Sequence, residues 1–331
     1  MMNFCTLFDS YYIHKGIALY LSLERTTNDF HLYVMAFDKS CYDKLNDLDF
    51  KHMTVELLDE FETPELLEVK PTRNKAEYCW TAGPSVIYHF LSKYNLERLT
   101  YLDSDLFFLS DPRIIEEEAG ESSIVITEQG ISEIDAERYG KYCVQYMTFK
   151  NDEEGLAALT WWRDSCIEWC FQIMEPTRYA DQKYLDQFPV RWKNVCVLEN
   201  LGAGVAPWNM GRYKYVANTV TYKGDSYPLV FFHMHGLVFS NSGTVLVAKS
   251  HHFALNDDVI RLFYRPYTNL MLEVFSKYLG QNVSSCCIKN MPVLRKVEYK
   301  IRDWVKKSRF LTSLYFKYFK KKEVGHGTMI N

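Results

Sequence analysis

The 331-residue sequence has no window approaching the ~20 consecutive apolar residues that cross a bilayer, so a membrane-spanning helix is not expected. It begins "MMNFCTLFDSYYIHKG", with no basic segment ahead of a long apolar run, and no secretory signal is expected either. The cysteines show no framework spacing. Cys5, Cys41, Cys79, Cys143 and Cys196 are scattered, while Cys166 with Cys170 and the adjacent Cys286 and Cys287 complete no zinc set. Buried thiols in a reducing compartment are the expectation. There is no internal repeat and no low-complexity linker.

What is present is an ordinary globular composition, 47% hydrophobic and 24% charged, in a chain long enough to bury a sizeable core. Aromatic residues reach 16%, compatible with stacking surfaces for sugars or bases. The net charge of -4 is unevenly spread. Between Leu294 and Lys322 stand 11 bases against only Glu298 and Asp303, so the body is acidic and the tail basic. With no wider basic face on the body, a nucleic-acid partner is not expected.

Patterning along the chain opens as strand, helix, strand: residues 3 to 8, then "IHKGIALYLSLER", then "FHLYVMAFD" ending in Asp38. A short strand near "MTVELL" and a helix over roughly 73 to 94 follow. The apolar strand "LTYLDSD" carries Asp103 and Asp105 at its carboxyl end, where ligands gather in open α/β sheets. "SSIVITE", "YCVQYMTF" and "YPLVFFHMHG" read as further strands, and "GLAALTWWRDSCIEWCFQIM" as a helix whose Trp161, Trp162 and Trp169 pack the core.

Two carboxylates one residue apart can approach one divalent cation from the same side. An imidazole beside them suits Mn²⁺ or Mg²⁺ bound partly by substrate oxygens. His233 and His235 alternate in "FFHMHG" and share a face if the strand runs that far. Trp208 in "APWN" can stack on a sugar with Asn209 hydrogen-bonding beside it, or can equally be a core residue.

The ordered set "FDSYY", "YLDSDLFF", "ADQKYL", "GVAPWN" and "FHMHG", over residues 3 to 240, resembles GT-A-fold glycosyltransferases, most of all glycosyltransferase family 8 and its uncharacterised bacterial relatives. The resemblance implies a Rossmann-like mixed sheet flanked by helices, and a metal held by Asp103, Asp105 and His233, with His235 as the substitute histidine. It implies that Asp9 and Tyr12 hold the nucleobase, that Arg73 and Lys75 reach the donor's phosphates or sugar together with Asp103 and Ser104, and that Asp181 and Gln182 flank the transferred sugar. Two features depart from the family. "YCVQYMTF" replaces an asparagine-rich strand, leaving Gln145 as a sugar contact, and "GLVFSNSG" replaces the lysine-proline-tryptophan that closes on the pyrophosphate.

The expected organisation is a GT-A catalytic domain over 1–255, with a nucleotide-sugar half at 1–112 and an acceptor half at 113–255, followed by a helical extension over 256–331. The expected activity is metal-dependent transfer of a hexose, with retention, from a UDP-sugar ahead of GDP or dTDP donors to a glycan or lipid-linked glycan. The basic amphipathic tail, residues 291–322, is expected on an anionic membrane, which would place the protein in the cytoplasm at the inner face of the membrane. One alternative is a haloacid-dehalogenase-type phosphatase, but that motif calls for Thr or Val where Phe107 stands. The other is a nucleotide-sugar-binding protein without turnover.

Overall fold

The computed structural model describes residues 1–239, 244–247, 256–281 and 287–290. The basic tail lies outside them. The chain divides into two compact units, Met1–His235 with Ser250–Asn282, and Gly236–Lys249 with Val283–Asn331.

The first unit is built on a seven-stranded mixed sheet of order β3-β2-β1-β4-β7-β6-β8. Its strands are β1 (Met2–Phe8), β2 (Phe30–Ala36), β3 (Met53–Leu57), β4 (Arg98–Leu102), β6 (Ile124–Glu128), β7 (Tyr142–Lys150) and β8 (Val195–Val197). β5 (Leu106–Phe108) stands outside this sheet. The continuous apolar runs of β1 and β2 are buried along nearly their whole length, as parallel strands covered on both faces must be. β1 to β4 run parallel, whereas β7 runs antiparallel between β4 and β6.

Local chemistry fixes the helices. Asp38 ends the β2 connection and accepts the backbone N–H of Cys41, capping α2 (Lys39–Leu48). Asn74 and Glu77 form a reciprocal capping box at the start of α3 (Lys75–Lys93). Phe90, Val86 and Leu91 of α3 pack with Leu159, Trp162 and Cys166 of α4 (Glu153–Glu168) in one apolar cluster over the sheet. Each such buried side chain contributes roughly 1.5–3 kcal/mol.

α4 stops at Glu168, short of the expected Met174, and Trp169 is extended. The Arg73 guanidinium donates to the freed carbonyls of Ile167 (3.0 Å) and Glu168 (3.5 Å) and lies 3.8 Å from the Phe171 ring centroid. Carbonyls at a helix end need such partners, and a guanidinium supplies them. Trp162 is buried beside Phe149 and Phe188, and Trp161 meets Phe188 edge-on, as their packing role requires.

The expected strand "YPLVFFHMHG" divides in two. Asp225–Pro228 (β11) joins a meander with β9 (Lys214–Val216) and β10 (Thr219–Tyr222), and β12 (Phe231–His233) pairs with β5. Between them the Leu229 N–H still donates to Asn218 in register with β10, but the Val230 N–H turns to Gly202, so the ladder breaks at Val230.

The boundary expected at residue 255 does not separate the units. A helical stretch, in which two π-helical turns flank α5 (Arg265–Glu273), belongs to the first unit. Its Phe263 stacks on Phe232 at 4.3 Å and its Tyr267 meets Phe107 edge-on at 5.4 Å. These aromatic contacts bury the outer side of the β5/β12 pair, so the first unit needs a segment that lies beyond residue 255. In the second unit, Val238–Phe239 pairs antiparallel with Thr244–Val247, which pairs parallel with Cys287–Asn290. A strand therefore stands at 287–290, where a helical extension was expected.

Gly202 sits where the "LGAGVAPW" loop meets the backbone of Pro228, and an added methyl would overlap the Pro228 carbonyl. Gly202→Ala is expected to cost about 1–3 kcal/mol through forced backbone displacement, read as a lowered midpoint in urea unfolding. An unchanged midpoint would contradict this tight approach.

Candidate active site

The site grows from the end of β4. The Asp103 N–H donates to the Gln145 carbonyl of β7 (3.0 Å), and the Leu106 N–H to the Asp103 carbonyl (3.1 Å), closing the Asp-Ser-Asp turn. β5 then pairs antiparallel with β12 in a register that sets Leu106 opposite His233, and the Met234 N–H donates to the Asp105 carbonyl (2.9 Å). The pairing brings together side chains more than a hundred residues apart. His233 Nε2 lies 3.0 Å from Asp105 Oδ1 and 3.7 Å from Asp103 Oδ2, and one ligand atom from each of the three residues lies within 4.8 Å of the others.

A second set of groups holds these three. Gln145 Oε1 faces His233 Nδ1 at 2.8 Å. Because an amide oxygen only accepts, Nδ1 carries the proton and Nε2 is turned to the carboxylates. The Tyr101 hydroxyl donates to Asp103 Oδ1 (3.1 Å). Lys15, in α1 (Ile13–Thr26), reaches Asp105 Oδ2 at 3.1 Å with its side chain 6% exposed. Trp208 stands edge-on to His233 and His235, with ring centroids 5.2 and 5.5 Å apart, and its Nε1–H donates to the Gln129 carbonyl (2.8 Å).

The two acids are electrostatically unequal. Burial alone would raise Asp105, but Lys15 and His233 outweigh it and hold its carboxyl well below the usual range. Burial and the neighbouring Asp105 charge keep Asp103 raised despite His233. Burial disfavours the imidazolium of His233, yet the two carboxylates raise its pKa. A proton on Nε2 therefore stands where a divalent cation would be bound. Two carboxylates and an imidazole of fixed tautomer are an O,O,N donor set that fits Mn²⁺ or Mg²⁺.

The other expected residues fall into distinct groups. Asp9 accepts the Tyr12 N–H (2.9 Å) and pairs with Lys75, at the mouth between β1 and α1. Tyr12 is 38% exposed, and Lys15 Nζ lies 4.4 Å from its ring centroid. Ser104 is buried in the Asp-Ser-Asp turn. Asp181 is buried, and its carboxyl is pushed up to about 8 by burial and then by the charge of Asp103. Ala180 before it adopts a left-handed conformation at φ 49°, a strained setting of the kind found at functional sites.

Four expected ligand contacts are committed elsewhere. Arg73 caps α4, as described. Gln145 is fully buried between His233 and Thr127, so it orients the imidazole and has no surface for a sugar. Asn209 is 1% exposed and gives its amide to the carbonyls of Gln129 and Gly204 and its oxygen to the Ala206 N–H, which bolts the Trp208 loop in place. Gln182 donates to the Tyr139 carbonyl (3.0 Å). β12 ends at His233, so His235 leaves the strand and is exposed beside Trp208 rather than joining the three ligands. Lys15 was not anticipated. Its position in an otherwise apolar helical run, one residue from Gly16, was the available signal.

Among the described residues, two surface hollows of about 620 and 660 Å³, lined around Glu118 and Tyr227 and around Tyr88 and Arg163, contain none of the cluster. The seven cysteines with described side chains are free thiols.

No protein-family model matches the chain. The uncharacterised protein YfnD of Bacillus subtilis strain 168 is 33% identical over 276 residues, covering 80% of this chain and 87% of YfnD. The chain belongs to the YfnD family. YfnF of the same organism is 30% identical over 249 residues, covering 70% of this chain and 80% of YfnF. In three dimensions this YfnD relative is similar to the crystal structure of an active-site mutant of LgtC, with TM-score 0.50 and 13% identity over 81% of the chain and 95% of LgtC. The galactosyltransferase LgtC crystallised with donor and acceptor sugar analogs gives 0.49 at 12% identity, over 85% of the chain and all of LgtC. The fold is GT-A.

If the imidazole is oriented through Gln145, Gln145→Ala will weaken Mn²⁺ binding by roughly 10–100-fold while the chain stays folded. Titration calorimetry checks this. An unchanged affinity would remove Gln145 from the support of His233.

Proposed function

We propose that this YfnD relative is a metal-dependent glycosyltransferase that moves a hexose from a nucleotide sugar, a UDP-sugar foremost, to a glycan or lipid-linked glycan. The observation that carries this reading is the convergence of Asp103, Asp105 and His233 at the carboxyl end of β4 in a GT-A fold. LgtC, which shares that fold, is a galactosyltransferase whose crystal complex holds donor and acceptor sugar analogs.

The charges supply the mechanism. Cleaving the sugar–phosphate bond of a nucleotide sugar leaves negative charge on the departing diphosphate. Asp103, Asp105 and His233 Nε2 would hold a Mn²⁺ or Mg²⁺ ion, which would supply Lewis-acid stabilisation of that charge. The protein holds the three ligands, Asp105 and His233 buried and Asp103 half-buried, in a pre-oriented set, which removes reorganisation from the reaction. Asp9 and Tyr12, beside Lys15, line the approach on which the nucleobase is proposed to lie, with Ser104 and Lys75 toward the donor.

Asp181 is buried within the field of Asp103, which supports a role beside the transferred sugar. In a retaining transfer it orients donor hydroxyls while a leaving-group oxygen takes the acceptor proton, and in an inverting one it is the general base. We favour retention, on the resemblance in sequence. Trp208, edge-on to both histidines, borders the side where the acceptor sugar would enter.

The phosphatase alternative has less support, because its paired acids normally open the domain, whereas here they follow β4. For the tail, residues 291–322, the proposal of peripheral attachment to an anionic cytoplasmic membrane rests on sequence alone. No helix among the described residues is long and apolar enough to cross a membrane.

Asp103→Ala, Asp105→Ala and His233→Ala are each expected to lower Mn²⁺-dependent hydrolysis of UDP-sugars by about 10²-fold or more, and EDTA to abolish it. Asp181→Asn should slow turnover while leaving UDP and Mn²⁺ affinity nearly intact. Full activity in EDTA would sink the proposal. A chain ending near Ser285 should hydrolyse donor yet no longer sediment with phosphatidylglycerol vesicles. If the full chain ignores those vesicles at low salt, the membrane attachment is wrong.

A further inference from the structure

Lys15 is placed at a cost that its pairing with Asp105 offsets. Its ammonium is almost wholly buried, which favours the neutral amine. It also occupies the first turn of α1, where the helix dipole disfavours a cation. α1 is held against β5 by the Ser22 hydroxyl, which accepts the Phe108 N–H (3.1 Å), so the lysine is carried to the metal ligands by a rigid element. What it meets there is Asp105, which already has His233 as a partner on its other oxygen. An apolar residue in this turn would have served packing alone. A cation retained at this position has an electrostatic task.

We propose that Lys15 is a built-in counter-cation that claims Asp105 Oδ2, so that a divalent ion meets Asp105 through Oδ1 alone and binds firmly only when a nucleotide diphosphate arrives with it. The inference rests on the proposed metal-dependent reaction and adds a positioning residue to it. Once the proton on His233 Nε2 has left and both carboxylates are ionised, as metal binding requires, Lys15 leaves the ligand set one net negative charge. That is a weak attraction for a bare divalent cation and a weak repulsion for a diphosphate. Without Lys15 the site would carry two negative charges, which attract the free ion and repel the nucleotide. Lys15 also lies against Tyr12, between the metal ligands and the side proposed for the nucleobase, where the phosphates must pass. The lysine therefore trades affinity for the free ion against affinity for the diphosphate, and couples the two.

The test is calorimetric titration of the full chain with Mn²⁺, alone and at saturating UDP, on the wild type, Lys15→Met and Lys15→Arg. Lys15→Met is expected to bind free Mn²⁺ at least about tenfold more tightly than wild type, and the enhancement by UDP to fall at least about tenfold. Lys15→Arg keeps the charge and should restore most of the coupling. Free-ion affinity and UDP enhancement both within about threefold of wild type in Lys15→Met would overturn the inference while leaving the metal site standing. No Mn²⁺ binding by the wild type even with UDP would instead remove the metal reading itself, and the inference with it. Should Lys15→Met not fold, a crystal structure of the wild type with Mn²⁺ and UDP decides. Asp105 bonded through Oδ1 with Lys15 still on Oδ2 supports the proposal, and chelation through both oxygens with Lys15 displaced refutes it.

Discussion

The pairing of β5 with β12 is the constraint on which the site depends. It sets Leu106 opposite His233 and so places a histidine from late in the first unit beside two acids from its middle. Everything around this pair serves to hold it. α1 is bonded to β5 through Ser22 and delivers Lys15. The helical stretch around Phe263 and Tyr267 covers its outer side. The loop ending in Trp208 runs along β12, with the His233 N–H donating to the Val205 carbonyl (2.9 Å).

That arrangement concentrates charge in a place from which water is largely excluded. Two carboxylates there would repel each other, and the asymmetry between Asp105 and Asp103 shows how the protein manages this. Lys15 and His233 keep Asp105 ionised, while Asp103 retains a raised affinity for a proton. Such a centre lacks positive charge. A divalent cation with an anionic ligand attached would supply that charge without leaving an excess, in keeping with the diphosphate chemistry proposed above. Asp181, pushed up first by its own burial and then by the charge of Asp103, adds to this shortage.

Much of this was legible in the sequence because it is local. The apolar runs of β1, β2 and β4 and the Asp-Ser-Asp at the end of β4 announce themselves over a few residues, and the order of the short motifs implied the fold. What was not legible depends on distant partners. Gln145 looks like a sugar contact until the antiparallel β7 turns it toward His233. Arg73 looks like a phosphate ligand until α4 ends beside it with open carbonyls. Asn209 resembles a binding residue in "APWN" but is consumed by its own loop and the Gln129 carbonyl. Lys15 reads as one polar residue in a helix, and only the docking of α1 on β5 reveals its partner. The end of β12 at His233, which sends His235 out of line with it, likewise depends on a distant partner, β5, whose pairing with it ends at Leu106.

The central claim is that one divalent cation is held between β4 and β12 together with a nucleotide diphosphate. A crystal of the full chain grown with Mn²⁺ and UDP, with diffraction collected at the manganese absorption edge, tests it directly. The account predicts a single anomalous peak within bonding distance of Asp103, Asp105 and His233 Nε2, with diphosphate oxygens completing the coordination. UDP bound with no peak at these three residues, or a peak at another group of acids, would contradict it.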